Sequence, residues 1–321
     1  MVYEIEMKIK DYASLYVYTN FDKLKLILTD NNSQIKKTIP ITEVKCKQVD
    51  KSNIKFENSI VIIDSEKKNM YYEKKSNTAF LMTNENDLRF EDFVYIALPM
   101  FSKILAENDK FLLHSSSLLL PANESIVLIG DANAGKTSLA YEMMSNYKCK
   151  LISNDHTVIG IKNNEIKTLG GTKDIQMRLG AIELFFPDLN NKIKLKCGDK
   201  WNKKLIVNNY IDKEMILDKD NDETKIKSFF SINTADSGET FIRKKKDIDE
   251  FLFAYESFSK IIKGTYNYIT GFNFSMPSME TEENMKKLDS LCKKIVDQTE
   301  VFEAKGSIKY LAKKLVKRYE K

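Results

Sequence analysis

Residues 1–88 alternate apolar and polar positions with a period of two. Segments such as YEIEMKIKDY and SLYVYTN are also enriched in β-branched and aromatic side chains. Such alternation predicts strands with one buried face. We therefore expect a small β-rich domain over residues 1–88, with no group of side chains that suggests catalysis. It would recognise an acceptor, form oligomer contacts or simply cover the sheet of the following domain.

The apolar spacing becomes helical after residue 89. Within Phe90–Asp109, apolar side chains recur at intervals of three and four positions: Phe93, Ile96, Ala97, Met100, Phe101 and Ile104. This spacing predicts an amphipathic helix. Pro99 lies inside the run, so the helix is expected to kink or to start late. We take this helix as the connection into a second domain over residues 89–321.

Strand-like and helix-like patterns alternate in the second domain. FLLHSSSLLL and SIVLIG are apolar runs of strand length, a helix is predicted from Lys136, and KLIS and HTVIGIKNNEIKTLG again indicate strands. The KNNE segment favours a hairpin turn. Strands that alternate with helices are typical of the α/β class, which is the predicted fold class.

Composition narrows the classes of partner. The net charge is +5, but 51 basic residues nearly balance 46 acidic ones, and only four of the basic residues are arginines. Lysine lacks the planar fork with which arginine binds phosphates and bases, so no nucleic-acid partner is expected. The chain shows no signal peptide and no apolar run of membrane-spanning length. The basic C-terminal segment KGSIKYLAKKLVKRYEK predicts a surface helix rather than a membrane anchor.

The four cysteines lie far apart in the sequence, at positions 46, 149, 197 and 292. They form neither a CxxC pair nor a cysteine–histidine cluster, which argues against a zinc site and against a disulfide framework. Together with the absence of a leader, this pattern favours a soluble protein of the reducing cytoplasm.

A phosphate-binding loop is predicted between SIVLI and TSLAYEMM. The sequence GDANAGKT matches the pattern G-x4-G-K-[ST], in which backbone N–H groups surround phosphate oxygens. Lys136 would reach the β- and γ-phosphates, and the Thr137 hydroxyl would bind Mg²⁺. Asn133 is placed where a left-handed backbone is expected. The predicted nucleotide-binding residues are Gly130, Asp131, Ala132, Asn133, Ala134, Gly135, Lys136, Thr137 and Ser138.

Two polar residues near the loop suggest chemistry beyond binding. His114 lies in the apolar run that precedes the loop, and Asp155 follows the strand KLIS. An acidic residue at this place can hold Mg²⁺ or act as a base. The alternatives at this point are a histidine satisfied at a strand edge and an aspartate that begins a turn.

The stretch HSSSLLLPANESIVLIGDANAGKTSLAYEMMSNYKCKLISND resembles the catalytic domain of the HPr kinase/phosphorylase family. The shared features are a histidine–serine pair before the loop strand, the loop itself, and a strand that ends in acidic residues. Similarity extends over about Phe111–Leu315 and includes VDQTEVFEAKGSIKYLAKKL as the closing strand and helix. The resemblance implies a P-loop kinase domain with a mixed β-sheet and flanking helices.

The resemblance also implies roles for individual residues. Lys136 and Thr137 match the loop lysine and the Mg²⁺-binding hydroxyl of the family. Asp155 matches the residue that takes the proton from the acceptor hydroxyl, and it is also a predicted metal ligand. His114 matches the family's active-site histidine. Asn154 departs from the family, which has an acid there, and adds no charge for Mg²⁺.

A second acidic site of the family is harder to place on this chain. In the segment DIQMRLG, Gln176 falls at the acidic position and Arg178 at the family's arginine. Asp174 could supply the carboxylate instead. Arg178 is accordingly a predicted catalytic residue, because a guanidinium can stabilise the charge that develops during transfer.

These residues predict an ATP- and Mg²⁺-dependent kinase that transfers the γ-phosphoryl group to a hydroxyl, such as Ser or Thr of a peptide or protein. One alternative is a nucleotide-binding regulatory or scaffold protein with little transfer activity, which Asn154 favours. Another is a GTPase or transport ATPase, although the sequence has neither N-K-x-D nor an L-S-G-G-Q-like stretch. ATP as the donor comes from the resemblance alone, and a homo-oligomer is left open.

Overall fold

The computed structural model describes residues 1–30, 34–194, 203–218, 222–235, 239–264 and 268–320. The chain divides into two compact units: Met1–Leu113 with Phe253–Cys292, and His114–Leu252 with Lys293–Lys321. This division differs from the predicted boundary between residues 88 and 89. The first unit keeps the helix after residue 89 and gains a distant segment, because long-range packing decides which segments share a core. A truncation after residue 88 would therefore divide the first unit.

The architecture is mixed α/β. Its strands are β1 (Val2–Ile9), β2 (Ala13–Thr19), β3 (Glu43–Val49), β4 (Ser59–Asp64), β5 (Asn69–Glu73), β6 (Thr78–Thr83), β7 (Lys110–Leu119), β8 (Ser125–Ile129), β9 (Lys150–Ser153), β10 (His156–Lys162), β11 (Glu165–Gly171), β12 (Gln176–Arg178), β13 (Lys204–Ile206), β14 (Thr224–Thr234), β15 (Phe241–Lys244), β16 (Tyr268–Ile269), β17 (Phe274–Ser275) and β18 (Glu300–Gly306). Its helices are α1 (Asp22–Thr29), α2 (Gln34–Thr38), α3 (Phe90–Glu107), α4 (Lys136–Tyr147), α5 (Leu179–Phe185), α6 (Pro187–Ile193), α7 (Ile248–Ile262), α8 (Glu282–Gln298) and α9 (Ile308–Tyr319).

The strands predicted in the first 88 residues are present. In the described part of the first unit they form a six-stranded sheet of order β3–β1–β2–β4–β6–β5. Ile5, Met7 and Ile9 of β1 are buried at alternate positions, as the period of two requires. Strand β4 lies parallel to its neighbours β2 and β6. Strand β1 is antiparallel to both β2 and β3, and β5 is antiparallel to β6. This part of the sequence prediction is confirmed.

Helix α1 lies within the region whose period-two pattern predicted strands, and the pattern did not indicate a helix there. Leu24, Leu26 and Leu28 alternate with other residues as in a strand, yet the segment is helical. Leu24 and Leu28 are buried on one face, while Leu26 is 66% exposed. Leu24 and Leu28 are four positions apart, so they lie on the same face of the helix, and that face packs against the core. Leu26 lies on another face. Alternation in so short a segment is therefore compatible with both structures.

Helix α3 begins at Phe90 and runs through Pro99 to Glu107. The late start offered as an alternative is wrong. Proline removes one backbone hydrogen bond from a helix interior and usually breaks it. Here every residue from Asp92 to Ala106 except Tyr95 is buried, so tertiary packing holds the helix across the proline.

The second sheet brings the loop after β8 and part of β7 to one edge. In the described residues its order is β11–β10–β7–β8–β14–β18–β15, with β9 also paired to β7. Strands β8, β14 and β18 are parallel, so their carboxyl ends meet at the same edge. Strand β7 runs antiparallel to β8, and Ser115 pairs with Ile129 there. The loop after β8 and the residues around Ser115 therefore come together.

A buried apolar cluster fixes the elements on either side of the loop. Phe230 of β14 and Phe302 of β18 stack with ring centroids 5.0 Å apart. Helices α4 and α9 pack together over this cluster through Leu139, Met143, Leu311 and Leu315. The predicted closing strand and helix are thus present as β18 and α9. No helix in the described residues combines the length and apolar character needed to cross a bilayer.

The hairpin predicted at KNNE joins β10 to β11. Asn163 and Asn164 both have positive φ, 53° and 63°. Two successive left-handed residues are typical of the type I′ turn, whose twist matches that of paired strands. Asparagine tolerates this conformation better than most residues, so the turn prediction is confirmed.

Candidate active site

Residues 130–135 connect β8 to α4, and the predicted loop motif continues into the helix as Lys136 and Thr137. Asn133 and Gly135 have left-handed backbones, with φ of 70° and 86°, as expected for Asn133 from the sequence. Two glycines are required by close approach: a Cβ on Gly130 would lie 2.7 Å from the carbonyl oxygen of Ile232, and one on Gly135 would lie 2.6 Å from Cγ2 of Thr234. Strand β14 therefore supports the loop, a role for Thr234 that the sequence did not reveal.

Lys136 lies inside the loop. Its Nζ donates to the carbonyl oxygens of Gly130 at 2.8 Å and Asp131 at 3.1 Å, and the residue is only 7% exposed. Asp131, Ala132 and Asn133 are exposed at the loop tip. The ammonium thus lies beside oxygen atoms within the loop, where it is placed to meet the oxygens of a bound polyphosphate.

Asn154 links the loop to the strand that follows α4. Its Oδ1 accepts hydrogen bonds from the hydroxyls of Thr137 at 3.2 Å and Ser116 at 2.8 Å, and its Nδ2 donates to the carbonyl oxygen of Asp174 at 2.9 Å. The side chain is buried, with 2% of the residue exposed. Both the oxygen and the nitrogen of the Asn154 amide therefore have hydrogen-bond partners, and this arrangement favours a neutral amide over a carboxylate at this position.

We expect Asn154→Asp to destabilise the protein by about 1–3 kcal/mol without Mg²⁺, because a carboxylate would face the Asp174 carbonyl oxygen with no proton to donate. Added Mg²⁺ should restore part of this loss, since the new charge lies beside the Thr137 hydroxyl. Denaturant unfolding with and without Mg²⁺ measures both effects. Asn146→Asp, at an exposed position of α4, should change stability by no more than about 0.5 kcal/mol. Equal stability of Asn154→Asp and wild type would contradict the expectation.

The turn 154–156 presents Asp155 at the edge of the sheet. Asp155 has a φ of 69°, a left-handed conformation that aspartate, like asparagine, adopts more readily than most residues. Hydrogen bonds from Ser115 N to Asp155 O at 3.1 Å and from Asn154 N to Thr172 O at 2.7 Å hold the turn, as does one from Thr172 N to His156 O at 3.0 Å.

Asp155 lies between the two histidines of the chain. His114 Nδ1 is 3.6 Å from Oδ1 of Asp155, and His156 Nδ1 is 3.7 Å from Oδ2. The imidazole rings meet edge to face with centroids 5.3 Å apart. His114 and Asp155 are half-buried and His156 is buried. The structure therefore brings together the predicted residues His114 and Asp155, and adds His156, which the sequence analysis did not single out.

A buried hydroxyl network lies behind this group. Thr157 Oγ1 is 2.7 Å from Oγ of Ser115, 3.1 Å from Oγ of Ser117 and 2.6 Å from Oγ of Ser153. All four residues have no exposed surface. Buried hydroxyls stabilise a structure only when they are mutually satisfied, so this network fixes β7, β9 and β10 against one another. The three serines within the apolar run FLLHSSSLLL are the feature of the sequence from which this network could have been predicted.

Arg178 and its neighbours occupy the segment after β11. Arg178 ends β12, opposite Lys204 of β13, and precedes the first turn of α5. Gln176 pairs with Ile206. Asp174 contacts the site through its backbone, because its carbonyl oxygen accepts a hydrogen bond from Nδ2 of Asn154. The catalytic role of Arg178 stays a prediction.

The residues present fit a nucleotide phosphate with Mg²⁺. The loop provides backbone N–H groups and a lysine for phosphate oxygens, and Ser138 lies in the first turn of α4. Mg²⁺ prefers oxygen ligands, and the predicted ligands Thr137 and Asp155 offer a hydroxyl and a carboxylate. The amide oxygen of Asn154 lies beside the Thr137 hydroxyl, from which it accepts a hydrogen bond, and it carries no charge.

No family model matches the chain, and no curated protein matches it. Among solved structures, the chain is similar to the HPr(Ser) kinase/phosphatase from Coxiella burnetii. The two share 10% sequence identity, and the match covers 65% of this chain and 95% of that one, with a TM-score of 0.32. This is a weak relationship of fold, and it carries no argument about function.

Proposed function

We propose that the chain is an ATP-dependent kinase that transfers the γ-phosphoryl group to a hydroxyl, as on Ser or Thr of a peptide or protein. The observation that carries the proposal is the pair of hydrogen bonds at Asn154. They tie the phosphate loop, through Thr137, to the strand of His114 and to the turn of Asp155. These contacts support the proposal because they bring the loop and the Asp155 carboxylate to one edge of the sheet.

Each residue has a part in this proposal. The loop amides and Lys136 hold the polyphosphate and offset its charge. Asp155 orients the acceptor hydroxyl and takes its proton as the new O–P bond forms and the bond to the departing ADP breaks. His114, beside Asp155, orients the carboxylate. Thr137 and Asp155 would hold Mg²⁺, which supplies charge stabilisation to the phosphates.

A nucleotide-binding regulatory or scaffold protein is the second candidate. The neutral side chain of Asn154 favours it, because an acid at this place would add charge for Mg²⁺. In that case the loop binds nucleotide and the Asp155 turn serves another purpose.

Incubation with γ-labelled ATP, Mg²⁺ and hydroxyl-bearing peptides tests the proposal. Label on a peptide, lost in Lys136→Ala, supports the kinase. Tight ATP binding by the wild type without label on any peptide or on the protein itself supports the scaffold. Absence of ATP binding in the wild type would contradict both candidates.

A further inference from the structure

We propose that His114, Asp155 and His156 form a binding site for a divalent transition-metal ion of the zinc type. This goes beyond the Mg²⁺ ligands of the proposed kinase, because it uses two imidazoles and rests on the geometry of the folded chain. The two histidines in the sequence are 42 positions apart, and both belong to this site.

The donor atoms are spaced as around a metal ion. One ligand atom from each of the three residues lies within 4.8 Å of the other two. The nitrogen–oxygen separations on either side of Asp155 are 3.6 Å and 3.7 Å. With metal–ligand bonds of about 2.0–2.2 Å, neighbouring ligands of a tetrahedral ion lie about 3.4 Å apart. Side-chain rotations that shorten the largest of these separations, at most 4.8 Å, towards this value would complete the site.

The chemistry of the donors selects the kind of ion. Imidazole nitrogen suits Zn²⁺, Co²⁺ and similar ions, whereas Mg²⁺ prefers oxygen. Two imidazoles and one carboxylate also form the ligand set of catalytic zinc sites, in which solvent completes the coordination. Part of the Asp155 side chain, 27%, is exposed, so an ion can reach the carboxylate from solvent.

The backbone holds the ligands in advance. Asp155 O accepts from Ser115 N, next to His114, and Thr172 bonds to both sides of the turn that carries Asp155 and His156. These backbone hydrogen bonds fix the main chain from which the three ligand side chains extend. The absence of a cysteine cluster argued against a zinc site from the sequence, but a site of histidines and a carboxylate needs no cysteine.

Cysteine thiols are other candidate ligands for a zinc-type ion in the described residues, and we expect them to compete only weakly with this site. Burial raises the pKa of the Cys149 and Cys292 thiols to about 12, which keeps both protonated at neutral pH. Cys46 is exposed and isolated from the site in sequence. Its removal provides a control for unspecific thiol binding.

The consequence for activity rests on the proposed function. An ion at this site binds the Asp155 carboxylate and draws its electron density, which makes the carboxylate a weaker base towards an acceptor hydroxyl. Zinc-type ions are therefore expected to inhibit transfer even when Mg²⁺ is in excess.

The binding test uses the full chain without nucleotide, in buffer that contains Mg²⁺. Zn²⁺ titration against a chromophoric indicator should show one ion per chain, and Co²⁺ should give ligand-field absorption. His114→Gln and His156→Gln should each weaken binding at least about tenfold, while Cys46→Ser leaves it unchanged. Unaltered Zn²⁺ affinity in His156→Gln, with its circular dichroism retained, would overturn the site.

Two further measurements keep the inference independent of variants and of the kinase. The imidazole proton NMR signals of His114 and His156 in the wild type should both shift with one equivalent of Zn²⁺; unchanged signals would overturn the site. In the label-transfer assay, Zn²⁺ should inhibit the wild type. Active protein that binds Zn²⁺ without inhibition would overturn the regulatory role. Zn²⁺ binding without any transfer would overturn the kinase and its inhibition, and leave the site standing.

Discussion

Asp155→Asn is expected to lower phosphoryl transfer by about 10²–10⁴-fold, the usual contribution of a general base. The amide has nearly the shape of the carboxylate but cannot take a proton from the acceptor. Asparagine also tolerates the left-handed backbone that Asp155 adopts, with φ of 69°. The turn should therefore persist, and the effect should fall on the chemical step.

The measurement compares transfer rate and ATP affinity in the same preparations. ATP affinity should stay within about twofold of wild type, because Lys136 and the loop amides are untouched. Asp188→Asn, an exposed carboxylate in the first turn of α6, serves as the matched control and should keep the wild-type rate. Transfer at an undiminished rate in Asp155→Asn would remove this residue from the mechanism, whatever the fate of the loop.

Gly135→Ala is expected to abolish ATP binding and to destabilise the protein. Gly135 has a φ of 86°, which costs an L-residue about 1–2 kcal/mol. The new Cβ would also lie 2.6 Å from Cγ2 and 2.8 Å from Cβ of Thr234. Overpacking of this kind adds about 1–3 kcal/mol. Together the two terms amount to about 2–5 kcal/mol, unless the loop moves away and loses its shape.

Thermal unfolding with and without ATP distinguishes the two effects. The wild type should be stabilised by ATP, because a ligand that binds only the folded state raises its stability, and the variant should not. Asn146→Ala, at the exposed end of the same helix, should retain the ATP response. The double variant Gly135→Ala/Thr234→Gly removes the contact and keeps the unfavourable φ, so it should regain part of the stability. A normal ATP response in Gly135→Ala would contradict the assigned role of the glycine.

Local features of this chain could be predicted well. The loop pattern between a buried strand and a helix, the left-handed Asn133, the asparagine turn after β10 and the closing strand and helix all depend on residues adjacent in sequence. Helix α1 shows where such patterns fail, because Leu24, Leu26 and Leu28 satisfy a strand and a helix alike. Pro99 shows a second failure, since burial of the surrounding helix outweighs the local preference.

The sequence by itself predicted a phosphate-binding loop between a strand and a helix, and it identified the residues near that loop that carry polar chemistry. Only the tertiary structure decided that His156 lies with His114 and Asp155, that Asn154 joins Thr137 to Ser116, and that Thr234 requires a glycine at position 135. The reason is physical. Turns and helix starts follow from backbone preferences within a few residues, whereas contacts between strands distant in sequence depend on the order and register of the sheet.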